Sequence, residues 1–214
     1  MGETTMSWAV LLGLGAFHGL NPGMGWLFAV ALGMQERRRG AVFSALLPLG
    51  LGHALAVGAA IAVALAVGAV VPLAWLRWLV AGILVGLGVS RLFWHRHPRW
   101  ASMRVSLTAL TFWSFLMASA HGAGLMVLPV FLGMPMTGAN ADHHHMMAMS
   151  SMTLTSALLA TLVHAIGYLF VTSIIAFVIF EKVGVGILRK AWFNLDLVWA
   201  STLLGTGLIG AFLG

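Results

Sequence analysis

Residues 7–34 read SWAVLLGLGAFHGLNPGMGWLFAVALGM, 28 positions without a charged side chain, interrupted by a histidine and then by Asn-Pro-Gly. A helical crossing of a bilayer takes about 20 apolar residues, so this stretch is long enough to cross with residues to spare. The interruption decides what kind of crossing it is. Pro22 lacks a backbone donor and crowds the preceding turn, and Gly23 loosens the helix further. At membrane depth such a break is tolerated only where protein or a water-filled cavity receives the freed backbone groups. A broken membrane helix with His18 just before the break is therefore expected.

The rest of the chain fits the same frame. It is 61% hydrophobic and only 7% charged over 214 residues, which no soluble domain of that length matches. The sequence predicts an all-α integral membrane protein, a single transmembrane domain over 1–214, with six crossings near 7–34, 41–71, 73–94, 105–134, 152–180 and 192–213. The net charge of +6 is topological rather than a nucleic-acid signal, so no nucleic-acid partner is expected. Of the eleven basic residues, ten fall between crossings one and two (Arg37, Arg38, Arg39), three and four (Arg91, Arg96, Arg99, Arg104), or five and six (Lys182, Arg189, Lys190). Arg77 is the exception. The positive-inside rule makes that face cytoplasmic and puts both termini outside, as in an inner (plasma) membrane protein. The opening MGETTMS carries an acid and no basic run, so no secretory signal is expected there. Trp8, Trp75, Trp78, Trp94, Trp100 and Trp192 fall near predicted crossing ends and fit an interfacial belt.

Two three-span halves are legible, about 1–97 and 98–214. His18-Gly recurs as His121-Gly, 103 positions later, and Gly-His53-Ala-Leu as Val-His164-Ala-Ile, 111 positions later. The difference falls at the loop MTGANADHHHMMAMSSM, about 136–151, where an insertion accounts for it. An odd number of spans per half inverts one half against the other. Inverted repeats with broken helices at matching positions place a transported substrate near the bilayer midplane. The first span breaks at Asn21, Pro22 and Gly23; the fourth has Gly122, Gly124 and then Pro129 after His121. These glycines, with Asn21 and Pro22, are the expected substrate pathway. A packing kink is the plainer alternative, since Gly and Pro are common in membrane helices.

The chemistry rests mainly on histidine. A lone buried histidine is usually a hydrogen-bonded core residue, but two matched pairs in lipid ask for a polar site. Imidazole ligates transition metals and can carry a proton near neutral pH. His18, His53, His121 and His164 are the expected metal or proton site. Met24, six positions after His18, offers a soft sulfur, as does Met126 after His121; both also suit plain gap-filling. Asp142, His143, His144 and His145, with Met146, Met147 and Met149, form an outer His/Met tract of the kind that binds metal. Acids are scarce, and only Asp196 approaches a span. There is no cysteine, so thiolate ligation is excluded, and no HExxH, GxSxG or P-loop motif, so no enzyme is expected.

The run HGLNPGMG (His18 to Gly25), the basic QERRRGA loop with Arg37 to Arg39, and Gly52-His53 resemble the NicO-type nickel/cobalt transporters, six-span proteins grouped with LysE-type exporters and cytochrome-biogenesis proteins. The resemblance covers about 50 of 214 residues. It implies a divalent transition-metal cargo. In that family the position between the two glycines is commonly histidine; here it is Met24, which suits a softer ion such as copper.

The sequence thus predicts a transporter of a divalent transition-metal cation, nickel- or cobalt-like with copper or zinc as further candidates. Its partners would be the lipid bilayer and the metal ion, with a homo-oligomer or a partner subunit left open and no fixed cofactor. The alternatives are a haem-holding or other cofactor-holding membrane protein, an exporter of a small organic solute, and an accessory protein delivering metal to an enzyme. Because the chain has no cysteine, single-cysteine variants report topology cleanly. A membrane-impermeant maleimide should label Gly2→Cys from outside and leave Arg38→Cys untouched; external labelling of Arg38→Cys would overturn the orientation.

Overall fold

The apolar stretch that opens the chain folds as a helix and stops where Asn21-Pro22 stops it. In the computed structural model, which describes residues 2–93, 106–134, 146–183 and 200–211, α1 spans Gly2–Leu20 and α2 spans Trp26–Glu36. A 3-10 turn, Pro22–Met24, joins them. The remaining helices are α3 (Arg39–Gly68), α4 (Leu73–Phe93), α5 (Leu107–Ala120), α6 (Ala123–Gly133), α7 (Met146–Val178, ending in a π turn Ile179–Val183) and α8 (Ala200–Ala211). There is no strand among the described residues.

The protein is all-helical, and two of its helices are long and apolar enough to cross a membrane, Arg39–Gly68 and Leu154–Lys182. The bent pair α5 and α6, angled at 62°, makes a third if taken as one span. The break at 21–25 divides the first predicted crossing into α1 and α2, as its Asn-Pro-Gly implies, and α4 matches the third in extent. The first part of the sixth lies outside the described residues. One boundary moves: α7 begins at Met146, so the end of the expected 136–151 loop forms the first turns of that helix.

Helix pairing crosses between the two halves of the chain. α1 packs chiefly on α7, and α3 chiefly on α5. The α1–α7 contact is backbone on backbone: a Cβ added at Gly15 would lie 2.0 Å from the His164 carbonyl oxygen, and one at Gly167 would lie 2.2 Å from that of Leu12. At the α3–α5 contact, a Cβ on Gly52 would lie 2.1 Å from the Thr111 carbonyl oxygen. Where lipid is the solvent, close approach of this kind replaces the hydrophobic drive that holds soluble helices together. α4 meets α8 at Gly88, against Leu204, and at Gly207, against Leu84.

The two ends of the bundle differ. At one end the turn between α2 and α3 carries Arg37, Arg38 and Arg39, and Arg39 grips Glu181 of the π turn with nitrogen–oxygen distances of 2.6 and 2.9 Å. Phe180 packs into the same corner, where a Cβ on Gly33 would meet its ring. At the other end Arg77 reaches across from α4 and donates to the carbonyl of Leu132, 3.2 Å away, in the last turn of α6. Cationic side chains satisfy the orphan carbonyls of a helix end in this way.

The two contact glycines give a sharp test. Gly15→Val and Gly52→Val force side chains into backbone and should each cost at least about 1–3 kcal/mol, the usual range for overpacking. Gly82→Ala, where an added Cβ meets nothing within 4 Å, should instead gain up to about 1 kcal/mol from helix propensity. Thermal unfolding in detergent would rank the three; an unchanged Gly52→Val would contradict the close α3–α5 contact.

Candidate functional site

The breaks are built by capping. Asn21 ends α1 and its side-chain oxygen accepts from the backbone N–H of Gly23 at 2.9 Å. The indole N–H of Trp26 reaches back 3.0 Å to the Leu20 carbonyl. The hydroxyl of Tyr168, from α7, donates to the Met24 carbonyl at 2.5 Å. Gly25 sits under that hydroxyl at φ 155°, and a Cβ there would lie 2.5 Å from the Tyr168 oxygen. The second break is tighter: α5 ends at His121, Gly122 takes the left-handed conformation at φ 72°, and α6 begins at Ala123. Protein groups thus receive backbone groups that the first break frees.

His18, His53 and His164 come together between α1, α3 and α7. All three are fully buried, with ring centres 5.5 Å apart for His18–His53, 5.0 Å for His18–His164 and 5.3 Å for His53–His164. His121 ends α5 at the second break and is 8% exposed. Three of the four histidines singled out from the sequence therefore come together, supplied by both halves of the chain.

The hydrogen bonds fix which ring nitrogen carries the hydrogen. A carbonyl oxygen can only accept, so a ring nitrogen bonded to one must be N–H. Nδ1 of His18 donates to Leu14 O at 2.7 Å, Nδ1 of His121 to Met117 O at 2.8 Å, and Nδ1 of His164 to Leu11 O at 3.2 Å. In the neutral ring each of these leaves Nε2 as a lone pair. Nε2 of His164 lies 3.2 Å from Nε2 of His53, so His53 is the donor there and carries its hydrogen on Nε2. Its Nδ1 is then a bare lone pair, buried and without a hydrogen-bond partner. The His53 and His164 planes are nearly parallel, 6° apart, but the nitrogens are much closer than the ring centres, so the rings meet edge to edge. The face of His53 is covered instead by Tyr168, stacked at 4.0 Å and 6°.

As it stands this cluster is hydrogen-bonded. Among the described residues no group of three or more His, Asp or Glu side chains is arranged to hold a metal ion. The donor chemistry nonetheless resembles that of metal sites, where a ligating histidine usually hands its other N–H to a carbonyl or carboxylate.

The remaining sequence-selected residues divide clearly. Asn21, Pro22 and Gly23 form the turn at the first break. Gly122 and Gly124 line a cavity of about 340 Å³ between α3, α4 and α6, with Ser119. Met24 and Met126 are buried in the apolar core. Asp142, His143, His144, His145 and Asp196 lie outside the described residues, as do Arg96, Arg99, Arg104, Arg189 and Lys190.

Two residues that complete the site were not selected from the sequence. Tyr168 joins His53 to the first break, and Ser114 donates to Leu49 O at 2.6 Å, tying α5 to α3 beside the His53 turn. Tyr168 had a signal: it is the chain's single tyrosine and stands four positions after His164, on the same helix face. Ser114 had none beyond being a hydroxyl in an apolar run.

No family model, no curated protein and no solved structure matches the chain.

Tyr168→Phe keeps the ring over His53 and removes only the hydroxyl that serves Met24 O. Leaving that buried carbonyl without its donor should cost about 1–3 kcal/mol. Equilibrium unfolding of the purified variant would read it; wild-type stability would mean that the hydroxyl bond does not hold the break.

Proposed function

We propose that the chain is a membrane transporter of a divalent transition-metal cation, that His18, His53 and His164 form its midplane site, and that His121 at the second break belongs to the same pathway. The observation that carries this reading is the tautomer pattern. Three of the four histidines have Nδ1 committed to backbone carbonyls, which makes Nε2 of each the ring atom that bears the lone pair. The His53–His164 nitrogen separation of 3.2 Å supports it. Two imidazole nitrogens held by one tetrahedral ion at about 2.0–2.1 Å would stand roughly 3.3–3.4 Å apart. For that pair to hold a cation, His53 must move its hydrogen from Nε2 to Nδ1, the ring position that has no hydrogen-bond partner at present.

Six crossings in two inverted repeats belong to the same proposal. The helix pairing supports it: exchanging spans one with four and two with five turns the α1–α7 contact into the α5–α3 contact, and α4–α8 maps onto itself. The two break histidines also share one local geometry, each bonding back to the carbonyl four residues earlier. The NicO-type likeness of His18 to Gly25 agrees in placing a histidine at that break. In this reading the Arg37–Arg39 end is cytoplasmic by the positive-inside rule. The haem alternative fits less well, because histidine rings touching edge to edge leave no slot for a macrocycle between them.

Proteoliposomes filled with a metal-sensitive dye test the proposal, with Ni²⁺, Co²⁺, Cu²⁺, Zn²⁺ and Fe²⁺ supplied one at a time. At least one ion should enter faster than in protein-free vesicles. His18→Ala and His164→Ala should each lower that flux at least about tenfold, the scale on which even outer-shell partners of a metal site act. Circular dichroism would check that both variants remain folded. No flux of any ion through folded wild-type protein, or unchanged flux in both variants, would overturn the assignment. A Soret band in the purified protein would establish haem binding instead.

A further inference from the structure

Tyr168 touches the histidine cluster and the first break with one side chain. Its ring covers the face of His53, 4.0 Å away and 6° from parallel, and its hydroxyl donates to Met24 O at 2.5 Å. The hydroxyl is packed directly on Gly25, where a Cβ would lie 2.5 Å from it. In a close-packed interior a ring stacked in this way moves with its neighbour, so His53 does not turn out of its plane without displacing the phenol.

A second acceptor for that hydroxyl stands on its own helix. Thr172 is four positions on, on the same face of α7, and is fully buried. Its hydroxyl lies beside that of Tyr168, yet its oxygen meets no partner at hydrogen-bonding distance and angle. A buried hydroxyl left this way is costly and asks for an explanation. Ser114, the other hydroxyl beside Tyr168, is already committed to Leu49 O.

We propose that Tyr168 is a positioning residue with two hydrogen-bond positions: Met24 O when the histidine cluster is empty, and Thr172 Oγ1 when the cluster holds a cation. Loading then releases the first break. The inference rests on the histidines being the cation site. Loading moves the hydrogen of His53 to its other nitrogen and draws the ring toward the ion. The stacked phenol follows, and a hydrogen bond weakens steeply once its length and angle are lost. Each state leaves one buried acceptor unpaired, Thr172 Oγ1 in the first and Met24 O in the second. The two are therefore close in free energy, as a switch requires. What the switch releases is α2, which starts at Trp26, packs on α3 and α7, and ends beside Arg37 to Arg39. The Asn21–Gly23 and Trp26–Leu20 bonds are local to the turn, whereas the Tyr168 bond ties it to another helix.

Equilibrium dialysis of the protein in nanodiscs against Zn²⁺, Ni²⁺, Co²⁺, Cu²⁺ and Fe²⁺ finds the ion that binds. Hydrogen-exchange mass spectrometry of residues 22–30, with and without that ion, then tests the switch. In the wild-type chain the ion should speed exchange there at least about fivefold, the scale of one hydrogen bond's preference between two positions. Thr172→Val keeps the shape and removes the second acceptor. It should fold as well as wild type and bind the ion within about twofold, yet lose the ion-dependent acceleration; Thr172→Ser should retain it. Tyr168→Phe should exchange fast with or without the ion, and circular dichroism would confirm that each variant is folded. Equal acceleration in Thr172→Val would overturn Thr172 as the second position. A wild-type chain that binds an ion with no change in exchange would overturn the coupling and leave the metal site standing. A chain that binds none of the five ions would overturn the metal site itself, and this inference with it.

Discussion

His164 holds three helices with one ring. Its Nδ1–H goes to the Leu11 carbonyl of α1, its Nε2 takes the hydrogen of His53 on α3, and its own backbone belongs to α7. In water such bonds would compete with solvent and contribute little net. In a buried, apolar bundle the alternative is an unsatisfied polar group, so the geometry has to be met before the helices can pack. This explains why the α1–α7 contact contains glycine where it does. Gly15 lets the His164 carbonyl come within a distance no side chain allows, and Leu11, one turn earlier on α1, is then in reach of the imidazole. The small residue and the polar bond are two parts of one requirement.

The same logic runs through the α3–α5 contact, with different residues. Gly52 admits the Thr111 carbonyl, and Ser114, one turn on, donates to Leu49 O. A hydroxyl does there what an imidazole does on the other side. The consequence is that the two contacts are alike in pairing and unlike in chemistry. An imidazole bridges one of them and a hydroxyl the other. His53 therefore faces His164 and Tyr168 rather than a partner on α5. Breaks and contacts follow a common plan, but the polar centre is drawn toward α1 and α7.

Much of this was legible from the chain. The end of α1 at Leu20 follows from Asn21-Pro22, because a capping side chain and a missing backbone donor act within a few residues and need no tertiary context. The convergence of His18, His53 and His164 was foreshadowed by the recurrence of His-Gly and His-Ala in otherwise apolar stretches. Ser114 was not, and Tyr168 was marked only as the single tyrosine one turn after His164, because what each bonds depends on the rotation of α5 and α7 about their own axes, which packing sets. The extent of α4 was legible too, with 73–94 expected and Leu73–Phe93 found. The start of α7 was set too late. A tract rich in His, Met and Ser reads as a loop, yet methionine is a good helix former, and Met146 to Ser151 continue the helix that follows. Arg77 broke the charge pattern, and in the structure it reaches the α6 end beside it.

The hydrogen pattern in the histidine cluster also bears on how a cation could be accepted and released there. A rigid, preformed set of three lone pairs would hold an ion tightly, and a tightly held ion leaves slowly. Here the lone pair on His164 Nε2 is occupied by the His53 hydrogen, although His53 Nδ1 keeps no hydrogen-bond partner. On the function proposed above, loading would break that bond, and the bond would form again when the ion departs. The return of about 1 kcal/mol or more, typical of a buried hydrogen bond, works against retention. A ring that pairs with its neighbour when empty lowers affinity without lowering selectivity, because the ligand atoms are unchanged. In that light, the absence of a ready-made metal geometry among the described residues and the presence of metal-type donor chemistry are compatible. A carrier site differs from a storage site in this respect: it needs its ligands close and already occupied by something they can give up.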